Sequence, residues 1–103
     1  MDVAEAASGH GAGRLVLVDV REDSERAQGF APGSLHVPLG QLEQRLGELP
    51  TDRPVAFICQ SGRRSAMAAA AARRAGLDAH NVSGGMTAWE QQGLNTDTTE
   101  RTR

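Results

Sequence analysis

The sequence predicts a small α/β domain, a single parallel sheet of four to five strands with helices on both faces. Two runs of four apolar residues, Leu-Val-Leu-Val at 15–18 and Val-Ala-Phe-Ile at 55–58, are typical of strands that are buried on both faces. A helical pattern follows each run, and the connections are short. Strands that alternate with helices in this way favour a parallel sheet covered on both sides.

The remaining elements follow in chain order. A short polar helix at 22–28 has acidic residues in its first turn, as the helix dipole favours. Residues 34–37 alternate and end at Pro38, which is typical of a short strand near a sheet edge. Residues 78–82 form a weak last strand, and a closing helix at 86–92 is anchored by Trp89. Four leucines at helical spacing predict an amphipathic helix between the second and third strands: Leu39, Leu42, Leu46 and Leu49.

Both ends of the chain lack a strong pattern. Residues 1–13 are rich in Ala and Gly, so we expect a flexible N-terminal segment with at most one or two helical turns. A fifth strand would have to come from this segment. Residues 96–103 are polar and charged, so we expect a disordered C-terminal tail. The folded domain is therefore expected to span residues 14–95.

The only cysteine, Cys59, lies directly after the buried run at 55–58 and shortly before an alanine-rich helix at 65–75. Open α/β sheets bind ligands at such strand-to-helix turns. Successive backbone N–H groups of the turn can point inward, and the helix start leaves further N–H groups unpaired, which together favour an anion. Gly62 allows the sharp bend, and Arg63 and Arg64 add positive charge.

A cysteine in this environment is expected to be acidified. Thiols at helix N-termini near cations have pKa values of about 3.5–7.5, against about 8.5 for free cysteine. Cys59 is thus predicted to be a nucleophilic thiolate near neutral pH. In the plainer interpretation, Cys59 is a small buried apolar residue and the two arginines are solvated surface charges. The two arginines lie within five residues of the only thiol, and this clustering argues for a site.

Three stretches together resemble one known family. The loop Cys-Gln-Ser-Gly-Arg-Arg-Ser at 59–65 is similar to the active-site loop C-x-x-G-x-R-S of rhodanese-like sulfurtransferases. The stretch at 18–34, with Asp-Val-Arg-Glu, Glu25 and Gly-Phe-Ala-Pro-Gly-Ser, resembles the family's D-V-R-E…E…G-H-I-P-G-A signature. The stretch at 83–94 resembles its closing G-G-x-x-A-W…G-L. Arg26 and Phe30 depart from the family pattern, which often has an aromatic residue and a histidine there.

The resemblance implies a rhodanese-like fold and a thiosulfate sulfurtransferase that works through a persulfide on Cys59. It implies that Asp19 and Arg21 support the loop. The expected donor is thiosulfate or a related sulfane-sulfur anion, and the expected acceptor is cyanide, a thiol or a sulfur-carrier protein. The expected donor-binding residues are the other members of the loop: Gln60, Ser61, Gly62, Arg63, Arg64 and Ser65.

Other functions remain open. Cysteine-dependent phosphatases and arsenate reductases use a similar thiolate loop, but phosphatases space Cys and Arg as C-x5-R, whereas Cys59 and Arg64 are one residue closer. A domain that carries persulfide without turnover could share the same site. A Cys–His protease-like pair is a further alternative, because such partners meet only in the fold.

Composition narrows the class of protein. The chain has 103 residues, 39% hydrophobic and 23% charged, with a net charge of −2, which indicates neither a nucleic-acid binder nor a membrane partner. It shows neither a transmembrane segment nor a secretory signal, so a cytoplasmic location is expected. No cofactor is expected. No metal site is expected either, since the three histidines have no zinc-ligand spacing: His10, His36 and His80.

Overall fold

A computed structural model of the chain describes residues 1–99. Two 3₁₀ turns, Leu39–Gln41 and Leu46–Glu48, flank the third of its five α-helices. The α-helices and strands alternate along the chain in the following order: α1 (Val3–Gly11), β1 (Val16–Asp19), α2 (Asp23–Arg26), β2 (Leu35–His36), α3 (Leu42–Arg45), β3 (Val55–Ile58), α4 (Arg63–Arg74), β4 (Ala79–Asn81) and α5 (Gly85–Gln91).

The four strands form one parallel sheet in the order β2-β1-β3-β4, which confirms the predicted fold class. The central strands β1 and β3 pair in register, with Val16 opposite Val55 and Asp19 opposite Ile58. From β1 the chain crosses first to β2 on one side, whereas β3 lies on the other side. The carboxyl ends of β1 and β3 therefore flank a topological switch point, where α/β sheets open a crevice for ligands.

Successive side chains of a strand point to opposite faces of the sheet, so a separate hydrophobic core forms on each face. On β3, Val55 and Phe57 face α4, whereas Ala56 and Ile58 face α1 and α5. All four side chains are completely buried. Cys59 is the next residue in this alternation and belongs to the core on the α4 face. The sheet thus fixes the face from which the cysteine side chain projects.

The N-terminal segment differs from expectation, because it contains the nine-residue helix α1 in place of a flexible linker or a fifth strand. The helix begins with a capping box in which the Glu5 N–H donates to Asp2 Oδ1 at 2.8 Å. Val3 is 1% exposed and packs against the sheet. Gly9, which suggested a linker, lies in the helix where a Cβ would come within 2.6 Å of Leu15. Its role is close packing.

The C-terminal end also departs from expectation. Phe30 and Asp97 form an isolated antiparallel bridge and exchange two backbone hydrogen bonds of 2.8 Å each. The expected disordered tail is therefore paired with the rest of the domain at this point. The last part of that predicted tail, residues 100–103, lies outside the described residues.

The predicted amphipathic helix at 39–49 is broken into the two 3₁₀ turns and the four-residue α3. Gly40 and Gly47 fall in the two 3₁₀ turns, and glycine lowers helix propensity. Leu42 and Leu49 are nevertheless buried, as the leucine pattern predicts. Within residues 1–99, no helix combines the length and apolar character that crossing a membrane requires.

Candidate active site

Cys59 is the first residue after β3, and the loop that follows turns back toward its sulfur. The Gly62 N–H donates to Cys59 Sγ at 3.1 Å, and Ser65 Oγ lies 3.2 Å from the same atom. Gly62 precedes α4 with φ of +106°, a left-handed conformation that favours glycine. The backbone geometry predicted for Gly62 is therefore present, and the first turn of α4 points hydrogen-bond donors at the sulfur.

Two opposing effects act on the acidity of Cys59. The residue is 1% exposed, and this burial raises the pKa of the thiol. The Ser65 hydroxyl and the N–H groups of Ser65, Gly62 and Ser61 act in the other direction, and their combined effect leaves the pKa below its ordinary value. Hydrogen bonds to the charged form stabilise a thiolate. The site thus favours ionisation even though the side chain is buried.

The start of α5 holds the loop from the other side. The N–H of Met86 donates to the Cys59 carbonyl at 2.8 Å, and the N–H of Thr87 donates to the Gln60 carbonyl at 3.0 Å. Gln60 Nε2 also donates to Thr87 Oγ1 at 3.0 Å. Gly85 lies so close to this loop that a Cβ there would come within 2.6 Å of the Gln60 carbonyl carbon. Gly85, the first residue of α5, therefore permits direct contact between two backbone segments.

Asp19 and Arg21 lie beside the loop, at the end of β1. Arg21 Nη2 donates to Asp19 Oδ2 at 2.9 Å and to the Gly29 carbonyl at 2.7 Å. Arg21 Nη1 reaches Gln60 Oε1 at 3.1 Å. Both members of the ion pair are buried, with Asp19 0% and Arg21 2% exposed. A buried ion pair at the carboxyl end of β1 is thus joined directly to the loop after β3.

The two loop arginines lie in different environments. Both terminal nitrogens of Arg64 donate to the Glu25 carboxylate, at 2.6 and 2.8 Å. Hydrogen bonds from Arg64 hold the pKa of Glu25 at about 2, against the opposing effect of partial burial. The same hydrogen bonds raise the pKa of Arg64. Arg63 is exposed to solvent. The charge on Arg64 is therefore balanced by a carboxylate on α2, whereas Arg63 faces water.

Sequence reasoning missed several contributors. Asn81, at the carboxyl end of β4, places Oδ1 2.6 Å from Ser65 Oγ. The parallel sheet could have suggested Asn81, because the carboxyl ends of parallel strands lie along one edge. No sequence signal indicated the contact between Gln60 and Thr87. Arg26 and Phe30, the two departures from the family pattern, contact each other, with the guanidinium 4.0 Å from the ring centroid.

The three histidines make hydrogen bonds that do not involve Cys59. Nε2 of His10 hydrogen-bonds the Pro32 carbonyl, and Nε2 of His36 hydrogen-bonds the Arg21 carbonyl, each at 2.8 Å. His80 pairs with Asp78 at 2.8 Å. In the described part of the chain, the side chains and N–H groups that bond Cys59 Sγ come from its own loop and the first turn of α4. The geometry therefore does not favour a Cys–His pair.

A parallel sheet with a cysteine of lowered pKa in a strand-to-helix loop at the switch point defines a class of small α/β domains built around one thiol. The profile of the rhodanese-like domain matches residues 2–92 of this chain. The chain belongs to the rhodanese-like domain family.

Individual relatives agree with this assignment. The chain is 41% identical over 76 residues to the putative sulfurtransferase YtwF of Bacillus subtilis, which covers 74% of each protein. It is 40% identical over 81 residues to a sulfurtransferase of Allochromatium vinosum, covering 78% of this chain and 76% of that one. The crystal structure of a rhodanese-related protein from Thermoplasma volcanium matches with a TM-score of 0.89 and 27% identity, over 96% of this chain and 97% of that one.

Proposed function

We propose that this protein is a sulfurtransferase that moves sulfane sulfur from thiosulfate, or a related anion, to a thiophilic acceptor through a persulfide on Cys59. The main support is the donor set around one sulfur atom, in which the Gly62 N–H lies 3.1 Å and the Ser65 hydroxyl 3.2 Å from Sγ. The lowered pKa of Cys59 raises the thiolate fraction available for attack. The sulfurtransferase names of the two relatives agree with this activity.

In the first step, the Cys59 thiolate attacks the outer sulfur of thiosulfate. A bond forms between Sγ and that sulfur, and the bond to the sulfonate sulfur breaks. Sulfite leaves with the electron pair, and the cysteine becomes an anionic persulfide. Covalent catalysis of this kind splits one difficult transfer into two easier ones.

In the second step, the acceptor attacks the terminal sulfur of the persulfide. With cyanide, a carbon–sulfur bond forms, the sulfur–sulfur bond breaks, and thiocyanate leaves while the Cys59 thiolate is restored. A thiol or a sulfur-carrier protein would take the same sulfur in the cell. The charge is conserved in both steps, and no oxidant or reductant is needed.

The loop residues have distinct proposed roles. The N–H groups of Ser61, Gly62 and Ser65 stabilise the negative charge on sulfur, as preorganised dipoles do in other active sites. Gln60, Arg63 and Arg64 line the approach, and the arginines attract the dianionic donor. Asp19 and Arg21 hold the loop in shape through the hydrogen bond from Arg21 to Gln60.

Intact mass after incubation with thiosulfate tests the proposal directly. The wild type should gain the mass of one sulfur atom, and the gain should be lost when cyanide is added. Cys59→Ser should gain nothing, and a chain with one cysteine offers no second thiol that could mask the result. A wild type that stays unmodified with thiosulfate and with other sulfane-sulfur donors would overturn the proposal.

Steady-state turnover separates the alternatives. Continuous thiocyanate release supports an enzyme, whereas persulfide formation with negligible turnover indicates a carrier module. Hydrolysis of an aryl phosphate without sulfur loading would indicate a phosphatase instead. The short Cys59–Arg64 spacing and the engagement of Arg64 with Glu25 speak against that outcome.

A further inference from the structure

The Ser65 hydroxyl lies between two acceptors. Its Oγ is 2.6 Å from Asn81 Oδ1 and 3.2 Å from Cys59 Sγ. A serine hydroxyl carries one proton, so it donates to only one of them at a time. Ser65 is 0% exposed. The acceptor that receives this buried proton therefore affects the acidity of Cys59.

Asn81 is well placed to decide where that proton goes. Its backbone is fixed by the sheet, where it pairs with Phe57, two residues before Cys59. A carboxamide presents an acceptor on one side and two donor hydrogens on the other, in nearly the same shape. When Oδ1 faces Ser65, the amide competes with the thiolate for the hydroxyl proton. In this structure Oδ1 faces Ser65, so the amide holds the proton away from the sulfur.

We propose that Asn81, whose Oδ1 accepts the Ser65 proton and so withholds it from the thiolate, is a positioning residue for Cys59. The 2.6 Å contact between Ser65 Oγ and Asn81 Oδ1 carries this inference. The role in turnover rests on the proposed function, but the effect on the acidity of Cys59 needs no sulfur donor.

Several charged groups also face the loop and must stay unchanged in the test. Helix α4 contributes Arg63 and Arg64, and α2 contributes Glu25, the partner of Arg64. The end of β1 contributes the Asp19–Arg21 pair, which reaches the loop through Gln60. The start of α5, residues 84–87, has the sequence Gly-Gly-Met-Thr and carries no titratable side chain.

The test measures the pH dependence of Cys59 alkylation by iodoacetamide, which reports the thiol pKa directly in a chain with one cysteine. The variants are Asn81→Ala and Asn81→Asp, each with and without Ser65→Ala. Asn81→Ala should lower the pKa of Cys59 by about half to one pH unit, because the hydroxyl then has only the sulfur as its acceptor. Asn81→Asp should raise it instead, since a carboxylate only accepts and adds negative charge.

The Ser65→Ala background provides the decisive comparison. There the Asn81→Ala shift should vanish, and the Asn81→Asp shift should fall to what the added charge alone produces. Equal shifts with and without Ser65, an unchanged pKa, or a higher pKa in Asn81→Ala would each overturn the inference. If Asn81→Ala fails to fold, the nearly isosteric Asn81→Asp carries the same comparison.

His80→Ala serves as the matched control. His80 precedes Asn81 on β4, so its side chain projects from the opposite face of the strand, where it pairs with Asp78. It should leave the thiol pKa unchanged. Coupling between Asn81 and Ser65 without sulfur loading from any donor would refute the proposed function alone. Sulfur loading without such coupling would refute this inference alone.

Discussion

Arg64 and Glu25 form a two-point ion pair beside the cysteine loop, with N–O distances of 2.6 and 2.8 Å. The pair links the first turn of α4 to α2, over 39 residues of sequence. Each side chain keeps about a third of its surface in water, 35% for Arg64 and 31% for Glu25. A loop with two adjacent arginines is thus less positive than its sequence implies, because one of the two charges is balanced.

Releasing Arg64 should improve the capture of a dianionic donor. In Glu25→Gln we expect the KM for thiosulfate to fall by about two- to fivefold at low salt, and the difference to shrink at high ionic strength. Steady-state kinetics with cyanide at two salt concentrations measures both effects. Glu48→Gln, which removes an exposed partner of Arg45, makes the same charge change elsewhere and should leave KM unchanged. An equal change in both variants would contradict the prediction.

Removing Arg64 should have the opposite effect. Arg64→Ala leaves the Glu25 carboxylate unneutralised beside the loop, where it repels an anion. We expect the KM for thiosulfate to rise by about tenfold, whereas the free energy of unfolding falls by about 1 kcal/mol or less, since the pair is partly exposed. Donor kinetics and urea unfolding of the same preparations measure the two quantities. A large loss of Tm with unchanged donor kinetics would count against a role in donor binding.

The ion pair also predicts how stability depends on pH. Folding lowers the pKa of Glu25 from 4.5 to about 2, so the pair contributes stability above pH 4.5 and loses it as the pH falls toward 2. With a discount for exposure, we expect Glu25→Gln to cost about 1 kcal/mol at pH 7 and almost nothing at pH 2. Urea unfolding of both proteins between pH 2 and 7 tests this expectation. A constant difference across that range would exclude the ion pair as its cause.

Breaking the buried pair under the loop should be costly. Asp19→Asn removes the negative charge opposite Arg21, whose guanidinium is buried with a side-chain exposure of 3%. Uncompensated buried charges typically cost about 3–5 kcal/mol. Thermal and urea unfolding should show this loss. Asp52→Asn, at an exposed ion pair with Arg53, should change stability by less than about 0.5 kcal/mol. Similar losses in the two variants would refute the prediction.

Two glycine variants can separate the steric effect of a Cβ at Gly85 from the strain caused by its positive φ. Gly85 and Gly93 both have positive φ, +56° and +71°, but a Cβ would meet the Gln60 backbone only at Gly85. Gly93→Ala should cost about 1 kcal/mol through backbone strain alone. Gly85→Ala should cost at least about 3 kcal/mol and slow the alkylation of Cys59, because the loop must move. Unchanged thiol reactivity in a folded Gly85→Ala protein would argue against this coupling.

The sequence alone determined the parallel α/β architecture and the position of Cys59 at the end of β3. These features depend on short apolar runs and on turn-forming residues, and both are patterns among residues that are adjacent in the sequence. Its prediction failed at the N-terminus, where Gly9 serves close packing within a helix and not a linker. It also failed at 39–49, where two glycines divide a leucine pattern. Only the tertiary structure decided that Arg64 pairs with Glu25 and that Asn81 lies against Ser65. Those partners are 39 and 16 residues apart, and the order and register of the strands bring them together.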